Sequence, residues 1–182
     1  VAGDVDFTAA AASSVLKHRA DPDLPIVAFS LFGQRGEQAL VVLKESGIRS
    51  VEDWEGKTFG YKISVPPDYL AILKANGIDR SLVKEVRVGF DPRILTEQRV
   101  DILAIFKSNE PDTLQRLGFV VEVFDAADYG VATIGLTFIT REDIVKEDPD
   151  KVRRFFRAAM KGLEFAFSNT EGALDIVLKY AE

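Results

Sequence analysis

The 182-residue sequence contains no cysteine and only one histidine, one tryptophan and one methionine. Without cysteine there is no disulfide, no thiolate nucleophile and no sulfur-ligated metal. A lone histidine cannot supply the several ligands that zinc normally takes. That residue, His18, lies between Lys17 and Arg19 near the polar end of an expected helix and reads as a solvated surface group. No Gly-x-Ser-x-Gly elbow accompanies it. Walker loop, dinucleotide fingerprint and calcium loop are all missing. Gly33-Gln34-Arg35-Gly36 is flanked by glycine, but its spacing fits no phosphate cradle and it reads as a turn. Carboxylates abound, yet most fall where Asp is favoured as a helix cap, and no acid–base pair stands out among them. No catalytic residue, metal or cofactor is expected.

Two further absences concern partners. No run of about 18 apolar residues occurs, so no transmembrane segment is expected. Basic charge is in deficit, with 23 Lys and Arg against 29 Asp and Glu. The resulting net charge of −6 argues against nucleic acid or an anionic membrane surface as a partner. The sequence opens on Val1-Ala2-Gly3-Asp4 with neither a basic region nor an apolar leader. It is expected to be a mature or truncated piece.

What is present is an alternation of short apolar runs and helical stretches, the pattern of an α/β protein. Strands are expected over 26–31, 39–43, 57–63, 86–90, 100–106, 119–124 and 136–139. The run 100–106 is apolar almost throughout, as in a central parallel strand covered on both faces. Helices are expected over 10–19, after Pro66-Pro67 with Leu70, Ile72 and Leu73 inward, and over 110–117, with a short one capped by Asp91-Pro92. Val51–Trp54 reads as one helical turn and Asp125–Gly130 as a loop, and Thr140 with Asp143 reads as a capping box. Asp148 caps the longest helix and Pro149 takes its first position. Val152, Phe155, Phe156, Ala159, Leu163, Ala166 and Phe167 then form one apolar stripe. A last helix opens at Asn169 or Thr170, with Leu174, Val177 and Leu178 inward.

Gly3–Ala10 and Gln98–Ile105 share a polar-polar-Val-Asp-apolar order. This reads either as two similar lobes or as two buried strands with polar lead-ins. Ligands of open α/β sheets bind at the carboxyl ends of strands, and polar and aromatic residues recur at those expected ends. Phe7 and Thr8 follow the first strand, Phe32 and Gln34 the second. Ser64, Asp68 and Tyr69 bracket a helix start, Lys107, Asn109 and Glu110 follow the 100–106 run, and Tyr129 precedes the last strand. A flat ligand wants rings on its faces and placed polar groups at its edge. For each aromatic taken singly, ordinary packing is the plain alternative.

Several ordered segments carry a family resemblance. Gly3-Asp4-Val5-Asp6-Phe7, the passage Leu40–Leu43 … Ser46-Gly47-Ile48 … Asp53-Trp54-Glu55-Gly56-Lys57, and Ala71–Asp79 resemble periplasmic solute-binding proteins of ABC transporters. Arg99-Val100-Asp101 resembles their Gly-x-Val-Asp, with Arg in place of Gly, and Asp148–Val152 resembles the start of their closing helix. Within that group the chain is most similar to the branch that binds thiamine-pyrimidine precursors, whose relatives bind riboflavin, sulfonates, taurine and nitrate.

The resemblance implies an α/β, two-lobed periplasmic-binding-protein type II fold with the first lobe incomplete at its N-terminus. It places lobe I at 1–56, lobe II at 57–128 and the return to lobe I at 129–182. It implies a small-molecule ligand in a cleft that closes by hinge bending, a membrane permease as partner, and an extracytoplasmic location, periplasmic or lipid-anchored. The expected ligand is a nitrogen heteroaromatic, a pyrimidine precursor or a flavin, stacked on Tyr69 or Tyr129 and held by Asn109 and Glu110. Lys107 and Arg35 keep a sulfonate, taurine or nitrate ligand as the alternative. A thiamine-pyrimidine synthase-like enzyme is disfavoured because that enzyme uses a cysteine-rich iron motif and consumes a histidine. The ligand-sensing domain of a regulator shares the two-lobed architecture and is the third reading.

Overall fold

The computed structural model describes residues 3–21 and 24–181, so Val1 and Ala2, where the sequence opens, lie outside the described residues. Strand β1 (Phe7–Ala11) runs into helix α1 (Ala12–Arg19), followed by β2 (Ile26–Leu31), β3 (Gln38–Leu43) and β4 (Thr58–Tyr61). Then come α2 (Pro67–Ala75), β5 (Lys84–Arg87), α3 (Arg93–Thr96), β6 (Ile102–Phe106), α4 (Glu110–Arg116) and β7 (Val121–Phe124). The chain ends with β8 (Leu136–Arg141), α5 (Glu142–Glu147), α6 (Pro149–Ser168) and α7 (Thr170–Tyr180).

These strands make two sheets. The larger has the order β5-β4-β6-β3-β7, with β4 parallel to β5 and β6, and β3 antiparallel to β6 and β7. Side chains alternate across a strand, and this sheet is covered on both faces. Leu40 and Val42 of β3, with Ile102 and Ala104 of β6, meet Trp54, Phe59, Tyr69 and Ile72 on one side. Ala39, Val41, Leu43, Leu103 and Ile105 meet Leu95 and Leu114 on the other. Covering both faces is why these strands read as unbroken apolar runs. Each fully buried large side chain contributes about 1.5–3 kcal/mol, so this layer holds most of the cohesion.

The smaller sheet, β1-β8-β2, is antiparallel throughout. Its core is a cluster of rings: Phe7 stacks on Phe155 of α6 at 4.2 Å, and Phe32 stacks on Phe138 at 4.3 Å. The 10–19 helix expected from sequence begins only at Ala12, because Ala10 and Ala11 are drawn into β1 against Thr137 and Leu136. The sheets are joined by two segments, 32–37 and 130–135. At their crossing, Phe32 N–H and Gly33 N–H both donate to the Leu136 carbonyl. A Cβ on Gly33 would lie 2.5 Å from Leu136 N, and one on Gly135 would collide with the Gly33 and Arg35 carbonyl oxygens.

Strand β3 pairs with β6 and β7, so residues 38–43 lie in the larger sheet and the chain first crosses between the sheets at 32–37. Several expectations need correction. The capping box at Thr140 does not form. Thr140 Oγ1 donates instead to the Asp6 carbonyl at 2.7 Å, tying β8 to the entry of β1, and Asp143 accepts from Ile144 N–H and from Arg141. In the 98–101 segment, Gln98 rather than Arg99 takes the left-handed conformation, at φ 55°. Asp148 does cap α6, accepting from Lys151 N–H, and Asn169 caps α7. The inward face expected for α7 is exposed: Leu174, Val177 and Leu178 are 55%, 62% and 70% accessible. No described element packs over them.

Candidate functional site

Three parallel strands end side by side, and residues at or shortly beyond the end of each line a common cavity. Lys62, Ile63 and Ser64 follow β4, Phe90 follows β5, and Phe106 closes β6. Gln38 opens the antiparallel β3 at the same edge, and Ser14 and His18 of α1 close the cavity from the smaller-sheet side. The cavity holds about 270 Å³, near the lower end of the range for small-molecule sites. It sits at the carboxyl ends of strands between the two layers, where open α/β sheets bind ligands.

Its floor is a buried ion pair. Lys62 Nζ contacts Glu110 Oε1, with the two side chains 9% and 3% exposed. The second Glu110 oxygen accepts from Phe106 N–H at 2.8 Å, which fixes the carboxylate at the start of α4. Acidic groups are favoured at that end of a helix. Lys62 Nζ also lies 5.5 Å from the Phe90 ring centre and 5.3 Å from that of Phe106, within cation–π range of both. Both phenylalanines remain exposed to solvent. Burial pushes the Lys62 ammonium below its ordinary value. The touching carboxylate makes a buried ammonium tolerable. Gln38 Oε1 is buried and has no hydrogen-bond partner among the described residues, and an orphaned acceptor of this kind calls for a donor from a ligand or water.

The expected site residues divide. Ser64 lines the cavity and Glu110 forms its floor through Lys62. Phe7 and Thr8 line a second cavity of about 290 Å³ beside β1 and β8, which His18 also borders. Lys107 pairs with Asp125 at 2.6 Å, apart from the cavity lining. Burial opposes ionisation of Asp125, but Lys107 and the Ala127 N–H outweigh it and hold the carboxyl below its usual range. Asp68 shares that cluster, where burial and the Asp125 charge push its carboxyl up despite Lys107. Asn109 and Gln34 are exposed and outside the cavity lining.

Packing places the aromatic residues expected at the site away from this cavity. Tyr69 is fully buried, stacked on Phe59 at 4.0 Å and on Trp54 at 6.0 Å, so neither ring face reaches the cavity. Burial and the nearby Glu85 carboxylate push its phenol up. Tyr129 stacks on Phe124 at 5.7 Å, and Phe32 is held by Phe138. The rings that do face the cavity, Phe90 and Phe106, were missed, as were Lys62, Gln38 and Ser14. His18 is exposed, as expected of a solvated surface group, and it also borders both cavities. A stricter rule would have found three of these, because Lys62, Phe90 and Phe106 all stand at the ends of the parallel strands. Among the described residues, no three metal-ligating side chains gather.

Residues 1–173 match the family model described as NMT1/THI5 like. The riboflavin-binding protein RibY of Chloroflexus aurantiacus is 29% identical over 181 residues, covering 97% of this chain and 51% of that protein. The formylaminopyrimidine-binding protein of Halalkalibacterium halodurans is 28% identical, covering 86% of this chain and 49% of its own length. This chain therefore spans about half the length of the curated relatives it matches. Among solved structures, the periplasmic aliphatic sulphonate binding protein SsuA of Escherichia coli superposes with a TM-score of 0.75 at 14% identity. That superposition covers 97% of this chain and 61% of SsuA. It identifies the fold, the expected periplasmic-binding-protein architecture.

Proposed function

The chain belongs to the NMT1/THI5-like family, and from that premise we propose that it is the ligand-binding part of a solute-binding protein serving an ABC importer. The protein is extracytoplasmic, delivers its solute to a membrane permease and is not an enzyme. Its ligand is a small nitrogen heteroaromatic, a thiamine-pyrimidine precursor or a riboflavin-like ring, bound in the cavity between the two sheets.

One observation carries this reading: two exposed phenylalanines, Phe90 and Phe106, flank a Lys62–Glu110 pair whose charges answer each other. A flat, uncharged ring gains stacking from the phenyls. Its edge finds donors and acceptors in Ser64 and Gln38. The names of the two curated relatives support the same ligand class. A sulfonate-type anion is the second reading, supported by the presence of Lys62 and His18 in the lining. It is the weaker one because the Lys62 charge is already answered.

Calorimetry on the chain with hydroxymethylpyrimidine, its formylamino derivative, riboflavin, taurine and nitrate tests the proposal. Saturable binding of a pyrimidine or flavin is expected, weakened about two- to tenfold by Phe106→Ala, since one stacked ring pair is worth about 0.5–1.5 kcal/mol. Binding of taurine or nitrate alone overturns it.

A further inference from the structure

We infer that Glu110 sets the charge class of the ligand: by neutralising Lys62 at the cavity floor it bars anions, and without it the same cavity becomes an anion site. This rests on the reading that the cavity is where ligand binds, but not on which heteroaromatic occupies it.

The geometry separates two tasks that one carboxylate performs. Oε2 of Glu110 accepts from Phe106 N–H at 2.8 Å, a structural bond within the start of α4. Oε1 meets Lys62 Nζ, and this second contact is the electrostatic one. Lys62 lines the cavity, whereas Glu110 stands behind it. A ligand therefore meets the ammonium face first, with the phenyl rings beside it. If the ammonium were free, its position would suit a sulfonate or carboxylate. With Glu110 ionised behind it, an incoming anion must compete with a carboxylate already in contact and suffers its repulsion as well. Discrimination by a repulsive element is a common route to specificity. Glutamine in place of Glu110 keeps an oxygen for the Phe106 N–H while removing the negative charge, so the two tasks can be cut apart.

The probe is ethanesulfonate, with dimethyl sulfone as its uncharged counterpart of similar shape. Thermal melting and calorimetry are run on the wild-type chain, on Glu110→Gln and on the double variant Glu110→Gln/Lys62→Gln. Ethanesulfonate should bind Glu110→Gln about ten- to a hundredfold more tightly than wild type, the ratio expected of one charge-assisted hydrogen bond. The gain should shrink at high salt. Neither the wild type nor the double variant should respond, and dimethyl sulfone should shift none of the three.

A buried unpaired ammonium is destabilising, so Glu110→Gln is expected to melt early. If it is unfolded without anion, ethanesulfonate should restore its circular dichroism, while the double variant should fold unaided. A Glu110→Gln chain that gains no sulfonate binding and is not rescued by sulfonate overturns the inference. So does a wild-type chain that binds ethanesulfonate as well as the variant. Heteroaromatic binding to the wild type is read in a separate titration, so a failure of the ligand assignment leaves the charge result interpretable.

Discussion

Asp68 shows how a single side chain near the site ties stability to pH. Burial and the Asp125 charge raise its pKa in the fold, and Lys107 only partly offsets them. The folded chain therefore holds this proton more tightly than the unfolded chain does. Between the ordinary carboxylate value and the raised one the native state binds more protons, so stability falls as pH rises through that window. Removing the charge should reverse the loss. Asp68→Asn is expected to melt a few degrees above wild type at pH 7, with the gap closing below about pH 4, where aspartate is protonated even when unfolded. Melting curves at both pH values check this, and a gap that does not depend on pH would assign the effect to something other than the charge. At this scale the sequence was legible where chemistry is local. Asp148-Pro149 announces a helix start because cap and first-turn preferences act within three residues. Thr140 misled because its hydroxyl bonds to the Asp6 carbonyl, a partner 134 positions away.

At the scale of elements, the crossing of the two connecting segments is the tightest joint in the molecule. Gly33 and Gly135 let the backbones touch, with room for no side chain at either. Gly135→Ala must push one segment away from the other and loosen the Gly33 N–H to Leu136 carbonyl bond of 2.9 Å. Overpacking of this kind costs about 1–3 kcal/mol, and in a chain of this length each kcal/mol lowers Tm by about 2–4 °C. The substitution should also weaken heteroaromatic binding, because the joint sets how α1 faces the ends of β4 and β6. An alanine variant with wild-type Tm and wild-type affinity would remove the joint from that role. The strands of the larger sheet were legible for the opposite reason, since burial on two faces writes itself as the run Ile102–Phe106. Strand β1 was not. Its alanines favour helix, and only the ladder to β8 makes them extended.

The whole molecule is uneven. Both buried clusters of the core belong to the larger sheet, whereas α6 and α7 contain no fully buried residue. On α6 the expected stripe is real but only half used: Phe155 stacks on Phe7, while Phe167 is 85% accessible. Sequence periodicity marks which side of a helix is apolar, but it carries no information on whether a partner covers that side. The ligand site was only partly legible for a related reason, since Tyr69 and Phe106 look alike in sequence and differ only in what the fold lays over them. With Leu174, Val177 and Leu178 on one exposed face, the chain presents a contiguous apolar surface to water, the kind of patch that folded chains rarely leave open. A solvatochromic dye such as anilinonaphthalene sulfonate should therefore fluoresce with the native chain. Leu174→Ser with Leu178→Ser should remove most of that signal while changing stability by only about 0.5 kcal/mol per site, since neither leucine is packed. Ligand binding in the cavity should be unaffected, because that cavity is lined from α1 and the larger sheet, and α7 contributes nothing to it. Undiminished fluorescence in the double variant would mean that the dye reads the cavity or an unfolded fraction, not the helix face.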